Sequence, residues 1–237
     1  MDKLDTLKKW ISNSNNVVFF GGAGVSTESG IPDFRSTAGI YNMKYTYPPE
    51  TILSHSFFIE NTKEFYEFYK EKMVYTKAIP NITHKKLAEL EEKGILKGVI
   101  TQNIDGLHQK AGSKKVIELH GCVLRNYCVN CNNYYNLDDV LDAEGIPICG
   151  CGGIIKPGVV LYEEALNEQL ISEAIEIISE AEVLIIGGSS LSVYPAAGLI
   201  RYYKGNKLVL INKAVTTYDN EADLLINAGL GEVFLSL

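Results

Sequence analysis

The sequence predicts an α/β protein in which a doubly wound parallel sheet carries a second, smaller domain. Short apolar segments alternate with amphipathic helical segments along most of the 237 residues. Polar or glycine-rich turns follow several apolar segments, at the sheet edge where such folds bind ligands. Two stretches break the alternation: residues 37–80, rich in tyrosine and phenylalanine, and residues 121–157, which hold all five cysteines.

The elements follow in order from the apolar spacing. Residues 4–11 have helical spacing, and residues 17–20 form an apolar segment that ends in a glycine turn, as a buried parallel strand does. Residues 82–93 predict a helix with Thr83 as its N-cap and Gly94 as its stop. A second amphipathic helix is predicted over residues 166–181, and further strands at 99–101, 116–119, 183–186, 208–211 and 224–226.

Composition and charge exclude several classes of protein. Hydrophobic residues make up 46% of the chain and charged residues 22%, which is typical of a folded globular protein. The net charge of −7 does not fit a general nucleic-acid binder. No apolar segment approaches the roughly 18 residues of a membrane span, and the N-terminus lacks a signal-peptide pattern. We therefore expect a cytoplasmic protein that binds neither nucleic acid nor membrane.

Four of the cysteines form two close pairs, which predicts a zinc site. Cys128 and Cys131 are separated by two residues, and Cys149 and Cys151, 17 residues further on, by one. Two such pairs suit four-cysteine zinc coordination, although C-x-C is tighter than the usual spacing. Four thiolates leave no open coordination position, so the zinc should be structural. The alternative is four reduced cysteines without metal; Cys122 is interpreted as a packing residue.

Two glycine turns predict a dinucleotide site. Gly22-Ala23-Gly24 follows the first strand and precedes the hydroxyls of Ser26 and Thr27, and residues 187–190 form a second glycine-hydroxyl turn. Backbone N–H groups in such turns bind phosphate, although the first turn matches neither the G-x-G-x-x-G fingerprint nor a P-loop. Asn212 ends the next strand, close to where nucleotide-binding units hold a ribose hydroxyl.

Polar groups also end the middle strands. Residues 101–105 (Thr-Gln-Asn-Ile-Asp) end one strand, and His120 ends another, where it is a candidate general base. The other histidines (His55, His84 and His108) are interpreted as core or surface residues. The Pro32–Arg35 segment is either a mobile loop over the ligand or a surface turn anchored by Phe34.

Taken together, these motifs resemble the sirtuin family of NAD-dependent protein lysine deacylases, of the bacterial, acetyl-lysine-preferring type. The resemblance rests on GAGVSTESGIPDFRS, TQNIDGLHQKAG, IELHG, the two cysteine pairs, KPGVVLYEE, GGSSLSVYPAAG and INKAVTTYDNEADLLI, and spans almost the whole chain. It implies a Rossmann-like NAD-binding domain (residues 1–36, 81–120 and 158–237). It also implies a small domain built from the helical insert (37–80) and the zinc module (121–157).

The resemblance further implies a role for each candidate residue. His120 would be the general base, and Asn103 would order the ribose hydroxyls and a water. The residues that would bind NAD are Ala23, Thr27, Phe34, Arg35, Gln102, Ile104, Asp105, Ser189, Ser190, Asn212 and Leu230. The substrate peptide would add as a strand along Val159, Val160, Leu161 and Tyr162.

The implied activity transfers the acetyl group of an acetylated lysine, in a protein or peptide, to ADP-ribose and releases nicotinamide. Residues 37–80 contain no arginine, whereas relatives that prefer succinyl-lysine present a tyrosine and an arginine there, so acetyl-lysine is expected to be preferred. Glu163 replaces a glycine common in the family, and Cys122 a serine. Two alternatives stay open: an ADP-ribosyltransferase that uses the same NAD site, and a non-catalytic sensor of NAD or acyl-lysine.

Overall fold

The computed structural model of the chain describes residues 2–34, 39–42 and 45–237. The helices are α1 (Lys3–Ser12), α2 (Pro49–Ile52), α3 (His55–Glu60), α4 (Thr62–Lys72), α5 (Ile82–Glu92), α6 (Leu107–Lys110), α7 (Leu137–Leu141), α8 (Glu168–Glu180) and α9 (Leu230–Leu235). The strands are β1 (Val17–Gly21), β2 (Leu96–Thr101), β3 (Val116–Glu118), β4 (Gly121–Cys128), β5 (Tyr134–Asn136), β6 (Ile155–Val159), β7 (Val183–Gly187), β8 (Leu208–Ile211) and β9 (Leu224–Ile226). Short 3₁₀ helices occupy Ala23–Val25, Thr27–Ser29, Ile40–Asn42, Ala196–Tyr202 and Asp219–Glu221.

Six parallel strands form the main sheet, in the order β3-β2-β1-β7-β8-β9. The order reverses at β1, since the chain first adds β2 and β3 on one side and later β7 to β9 on the other. At the carboxyl edge Gly21 pairs with Thr101 and Gly187, and Gly187 pairs with Ile211. The turns that follow β1, β2, β7 and β8 therefore meet at one place.

Both faces of this sheet are covered, as the prediction of a doubly wound sheet requires. Phe19 points into a core that includes residues of α1, α5 and α9, whereas its neighbour Phe20 points into a second core with residues of α8. The alternation follows from the two-residue period of a strand. Because both faces are buried, the central strands β1 and β7 are apolar throughout apart from their terminal glycines. The predicted fold class is confirmed.

A smaller antiparallel sheet, β5-β4-β6, packs with the helical insert. Their shared core joins the insert's aromatic rings, among them Phe58 and Tyr66, to Val140 and Ile155 of the cysteine-containing segment. The Tyr66 hydroxyl also donates to the Ile155 carbonyl oxygen. The two insertions therefore pack against each other, and their assignment to one small domain stays a prediction. Among the described residues, no helix is long and apolar enough to cross a membrane.

Two helix starts differ from the predictions. Helix α5 is capped by Asn81 and not by Thr83, because the Asn81 side-chain oxygen accepts hydrogen bonds from the backbone N–H groups of Thr83 and His84. Thr83 is itself helical and fully buried. Helix α8 begins later than predicted, after Asn167, which is its N-cap. Strand β3 ends at Glu118, one residue earlier than predicted.

Candidate active site

A cleft of about 790 Å³ lies at the carboxyl edge of the main sheet and extends to the small domain. All the predicted catalytic, NAD-binding and peptide-binding residues that the structure describes line it. Arg35 lies outside the described residues. The cleft therefore brings together residues separated by up to about 200 positions in the sequence, in keeping with the meeting of strand ends described above.

The two glycine turns lie against each other on one side of the cleft. Gly24 N–H donates to the Gly188 carbonyl at 2.8 Å, and Gly22 N–H to the Gly187 carbonyl at 3.1 Å. A β-carbon on Gly24 would lie 2.7 Å from the Gly188 α-carbon, so the contact requires glycine. Gly188 has a φ of 60°, which glycine adopts without strain.

Ser26 connects the first turn to the residues that follow β2. Its hydroxyl donates to Asp105 Oδ2 at 2.6 Å, and Asn103 Nδ2 donates to Ser26 Oγ at 3.1 Å. Asp105 Oδ1 also accepts from the Leu107 N–H at 2.9 Å. Burial raises the pKa of Asp105, while these hydrogen bonds oppose that shift. The Ser26 hydroxyl was expected at the first turn, but its bonds to Asp105 and Asn103 were not, because a hydroxyl in a glycine turn gives no indication of a partner 79 positions away.

His120 follows β3 and lines the cleft, and one of its two ring nitrogens is already hydrogen-bonded within the protein. Nδ1 lies 3.0 Å from the Gln102 carbonyl oxygen, which can only accept, so Nδ1 carries the proton. Nε2 is then the unprotonated nitrogen of the neutral ring and can act as a base. Burial lowers the His120 pKa, opposed by the hydrogen bond to Gln102. The ring is therefore neutral at pH 7, as a general base requires.

The other three histidines have no such arrangement. His84 and His108 are almost fully buried, with ring centroids 4.7 Å apart. Burial lowers their pKa values to about 4 and about 3. His55 is half exposed, and its Nδ1 lies 2.8 Å from Glu164 Oε1.

The side of the cleft predicted to bind adenosine is held together by amides and hydroxyls. Asn212 Nδ2 donates to the Ser189 carbonyl at 3.2 Å, which fixes the end of β8 to the second turn. Gln102 Nε2 donates to Ser189 Oγ at 3.4 Å, which ties the residue after β2 to the same turn. The Ser190 hydroxyl pairs with that of Ser192 at 2.7 Å.

The segment predicted to bind the peptide is already paired at one end. Val160 N–H donates to the His120 carbonyl at 2.9 Å, which places the segment beside the candidate base. Tyr162 N–H donates to the Leu53 carbonyl, and the His55 N–H donates to the Tyr162 carbonyl, each at 3.0 Å. The insert therefore occupies both backbone groups of Tyr162, and pairing of a peptide along residues 159–162 stays a prediction. The Tyr162 hydroxyl contacts that of Tyr41.

Glu163 stands where glycine is common in the family, and its hydrogen bonds show how the chain tolerates an acidic side chain there. Its φ is 74°, which is rare for a residue with a side chain. The carboxylate accepts from Ser56 N–H at 2.9 Å and from Ser56 Oγ at 3.0 Å. These bonds at the start of α3 offset the strain.

The four predicted cysteines converge on one point in the zinc module. Their sulfurs all lie within 4.8 Å of one another, and three pairs are at 3.4–3.5 Å. Sulfurs bound tetrahedrally to zinc at about 2.3 Å lie about 3.8 Å apart, so the cluster fits the ion despite its C-x-C pair. The Asn130 and Cys151 N–H groups and the Tyr135 hydroxyl donate to the sulfurs, which favours thiolates.

This fold and site define a dinucleotide-binding α/β protein with a four-cysteine zinc module. The chain belongs to the Sir2 family, whose model matches residues 22–195. A Clostridium acetobutylicum protein named NAD-dependent protein deacetylase is 58% identical over 237 residues, covering 98% of this chain and 97% of that one. A Clostridium perfringens protein of the same name is 59% identical over 236 residues, covering 98% and 97%.

Solved structures agree with this assignment. A Sir2 variant with a deacetylated p53 peptide and 3′-O-acetyl ADP-ribose has a TM-score of 0.91 and 42% identity, covering 99% of this chain and 97% of that one. A Sir2 complex with a p53 peptide and NAD⁺ has a TM-score of 0.87 and 41% identity, covering 99% and 96%. The resemblance found from the sequence is confirmed.

Proposed function

We propose that this chain is an NAD-dependent protein lysine deacetylase, which transfers the acetyl group of acetyl-lysine to ADP-ribose and releases nicotinamide. One observation carries the proposal: a neutral histidine, whose tautomer leaves Nε2 unprotonated, lies between a dinucleotide-type pair of glycine turns and the Val159–Tyr162 segment. The relatives named as NAD-dependent deacetylases, and the Sir2 structures with peptide, NAD⁺ and acetyl-ADP-ribose, support it.

The cofactor is held by groups on both turns. Ala23 and Thr27 bind the pyrophosphate, while the N–H groups of Gly22 and Gly24 hold the first turn against the second. Ser189, Ser190 and Asn212 hold the adenosine half, with Leu230 against it and Gln102 on a ribose. Bound NAD supplies a ribose carbon that accepts the acetyl oxygen when nicotinamide departs.

The nicotinamide half lies by the Ser26 network. Asp105 and Ile104 bind the amide, and Asn103 orders the ribose hydroxyls and a water. The Ser26 bonds to Asp105 and Asn103 fix both side chains before the ligand arrives. Phe34, whose ring packs edge-on against Tyr41, shields the reacting sugar from water.

His120 Nε2 would remove a proton from the ribose diol so that the oxygen can attack the acetyl carbon. The bond from that carbon to the lysine nitrogen then breaks, the lysine leaves as the amine, and one water completes the acetyl ester. The Gln102 carbonyl holds the imidazole in the tautomer that this step needs. General-base assistance of this kind contributes about 10²–10⁴-fold to a rate. The acetylated peptide lies along Val159, Val160 and Leu161, beside the base, with the side chain of Tyr162 at the end of the segment.

Zinc has no part in these steps. Cys128, Cys131, Cys149 and Cys151 would hold it with no open position, where it stabilises the small domain.

We further propose that the protein acts in the cytoplasm, which the absence of a membrane-spanning helix among the described residues supports.

Product analysis with the His120→Ala variant tests the function. With NAD and an acetylated peptide, the wild-type protein should yield the deacetylated peptide, nicotinamide and O-acetyl-ADP-ribose by mass spectrometry. The variant should lose at least about 10²-fold in turnover, because the base is missing. Its NAD affinity by calorimetry should stay near the wild-type value. ADP-ribosylated protein, or NAD binding without turnover by the wild type, would contradict a deacetylase, as would full activity of the variant.

A further inference from the structure

Asn81 lies outside the cleft, yet its side chain joins helix α5 to the first glycine turn. Its Oδ1 accepts from the backbone N–H of Thr83 at 3.0 Å, which caps the helix. Its Nδ2 donates to the Val25 carbonyl at 2.8 Å and to Ser29 Oγ at 3.0 Å. One amide therefore uses its oxygen for the helix and both its protons for the turn.

The atoms that Asn81 holds are next to the centre of the nicotinamide site. Val25 directly precedes Ser26, and Ser29 follows it by three residues. The Val25 carbonyl belongs to the peptide bond between Val25 and Ser26. Ser26 is 1% exposed and bonds to both Asp105 and Asn103, as described above. A displacement of the Val25 carbonyl therefore moves the hydroxyl that orients both side chains.

The backbone of Asn81 is itself held in place by His84. Its backbone N–H donates to His84 Nδ1 at 3.3 Å, which completes a reciprocal cap. His84 packs on His108 of α6, the helix that starts just after the Asp105 loop. Because burial keeps the His84 ring neutral, Nδ1 remains an acceptor at physiological pH.

We infer that Asn81 is a positioning residue of the nicotinamide site, acting through the Val25 carbonyl and Ser26 on Asp105 and Asn103. The inference rests on the proposed function, since it assigns that part of the cleft to nicotinamide. Asn81 touches neither substrate nor cofactor. Its oxygen stabilises the helix, and its N–H groups set the geometry of the site.

Two variants separate these uses of one side chain. Asn81→Asp and Asn81→Ser both keep an oxygen that caps helices as well as asparagine does. Both lose the amide donors, and Asn81→Asp also turns a carboxylate toward the Val25 carbonyl. The matched controls are Asn167→Asp and Asn167→Ser. Asn167 caps α8 with the same side-chain geometry, at 2.9 and 3.1 Å, and does not line the cleft.

The measurements are nicotinamide inhibition, ADP-ribose affinity and thermal stability. We expect the inhibition constant of nicotinamide to rise about three- to tenfold in Asn81→Ser, as loss of one or two neutral hydrogen bonds implies, and further in Asn81→Asp. ADP-ribose, which lacks nicotinamide, should bind within about twofold of the wild-type affinity, a change below that of one lost hydrogen bond. The melting temperature should be only a few degrees below that of the Asn167 variants, since the two bonds to the turn are lost while the cap is kept.

Several results would overturn the inference. An unchanged nicotinamide constant in both Asn81 variants would show that Asn81 is only a helix cap. Equal losses of ADP-ribose and nicotinamide binding, or unfolding of the Asn81 variants at the assay temperature, would show a general structural role. Failure of the wild-type protein to bind NAD or nicotinamide would instead refute the proposed function, so the two failures are distinguishable.

Discussion

The large and small parts of this molecule are stabilised in different ways. The large part buries two cores on opposite faces of a six-stranded sheet, and its central strand β1 is hydrogen-bonded on both sides. The small part has three strands, short helices and one core, in which aromatic rings of the insert lie against residues around the cysteines. Cys128 and Cys149 belong to that core and to the metal cluster at once.

The comparison shows where each part is vulnerable. A sheet buried on both faces depends on apolar area and on keeping its few buried titratable groups neutral. A domain with a small core requires a cross-link, here the predicted zinc. Because the cleft lies between the two parts, its two walls should respond differently to metal removal, acid and substitution.

Removal of a zinc ligand should have the largest effect, confined to the small part. The variant is Cys131→Ser, with Cys122→Ala as the control because Cys122 lies outside the cluster. The small part should lose about 3 kcal/mol or more of unfolding free energy, since structural zinc contributes about 10 kcal/mol or more when it binds.

Elemental analysis and hydrogen exchange check this prediction. Wild type and Cys122→Ala should hold one zinc per chain, and Cys131→Ser none. Amides of β4 and β6 should exchange faster in Cys131→Ser while those of β1 and β7 stay protected. Simultaneous loss of protection in both sheets would show that the two parts are one cooperative unit.

Acid should act on the large part through two buried histidines, His84 and His108. Their pKa values are about 4 and about 3 in the folded protein, below the unfolded value of about 6.5, so the unfolded state binds more protons in between. The stability that both contribute is fully present above pH 6.5 and decreases as the pH falls, and His84 accounts for about 3 kcal/mol of the loss by pH 4, at about 1.4 kcal/mol per unit. Chemical unfolding at pH 7.5, 6 and 5 measures the slope.

The variant His84→Gln should reduce that slope by about half, because His108 still contributes its own part. The same slope in His84→Gln and wild type would place the acid sensitivity elsewhere.

The preference for one acyl group over another should be moderate, and it should depend on residues of the small-domain side of the cleft. Lys72 lines the cleft, but its ammonium lies 2.7 Å from Glu71, which offsets its charge toward an incoming carboxylate. We expect kcat/KM for acetyl-lysine to exceed that for succinyl-lysine about tenfold on matched peptides, because the carboxylate loses hydration without a guanidinium partner. Lys72→Met should widen the ratio. Equal kcat/KM for the two peptides in the wild type would contradict the preference.

The smallest effect concerns charge at the peptide groove. The exposed Glu163 carboxylate lines the cleft, and its hydrogen bonds within the described part of the chain are to the neutral N–H and hydroxyl of Ser56. At low salt, an acetylated peptide flanked by lysines should have a KM about two- to threefold lower than its glutamate-flanked counterpart, with the difference vanishing as salt screens it.

Glu163→Gln should reduce this difference, since glutamine keeps an acceptor for Ser56. Glu176→Gln, at an exposed position of α8, should not. Identical KM values for both peptides at low salt would show that charge has no role in substrate selection.

Features that depend on local or periodic physics are predictable from the sequence. Continuous apolar segments marked β1 and β7, and the spacing of the cysteines indicated a metal cluster before any geometry was known. Contacts in which one side chain selects among distant partners are not predictable in this way. Asn81 caps α5 instead of Thr83, and its bond to Val25 spans 56 positions. Tyr162 pairs with residues 53 and 55, a contact that only the placement of the insert determines.

The contact between the two glycine turns also limits how this cofactor site can be redesigned. Since Gly24 and Gly188 lie backbone to backbone, a loop taken from another dinucleotide-binding protein fits only if its partner loop is transferred with it. A library that varies one turn while holding the other constant would therefore sample mostly clashing backbones. The two turns, 164 positions apart, are for protein engineering a single unit.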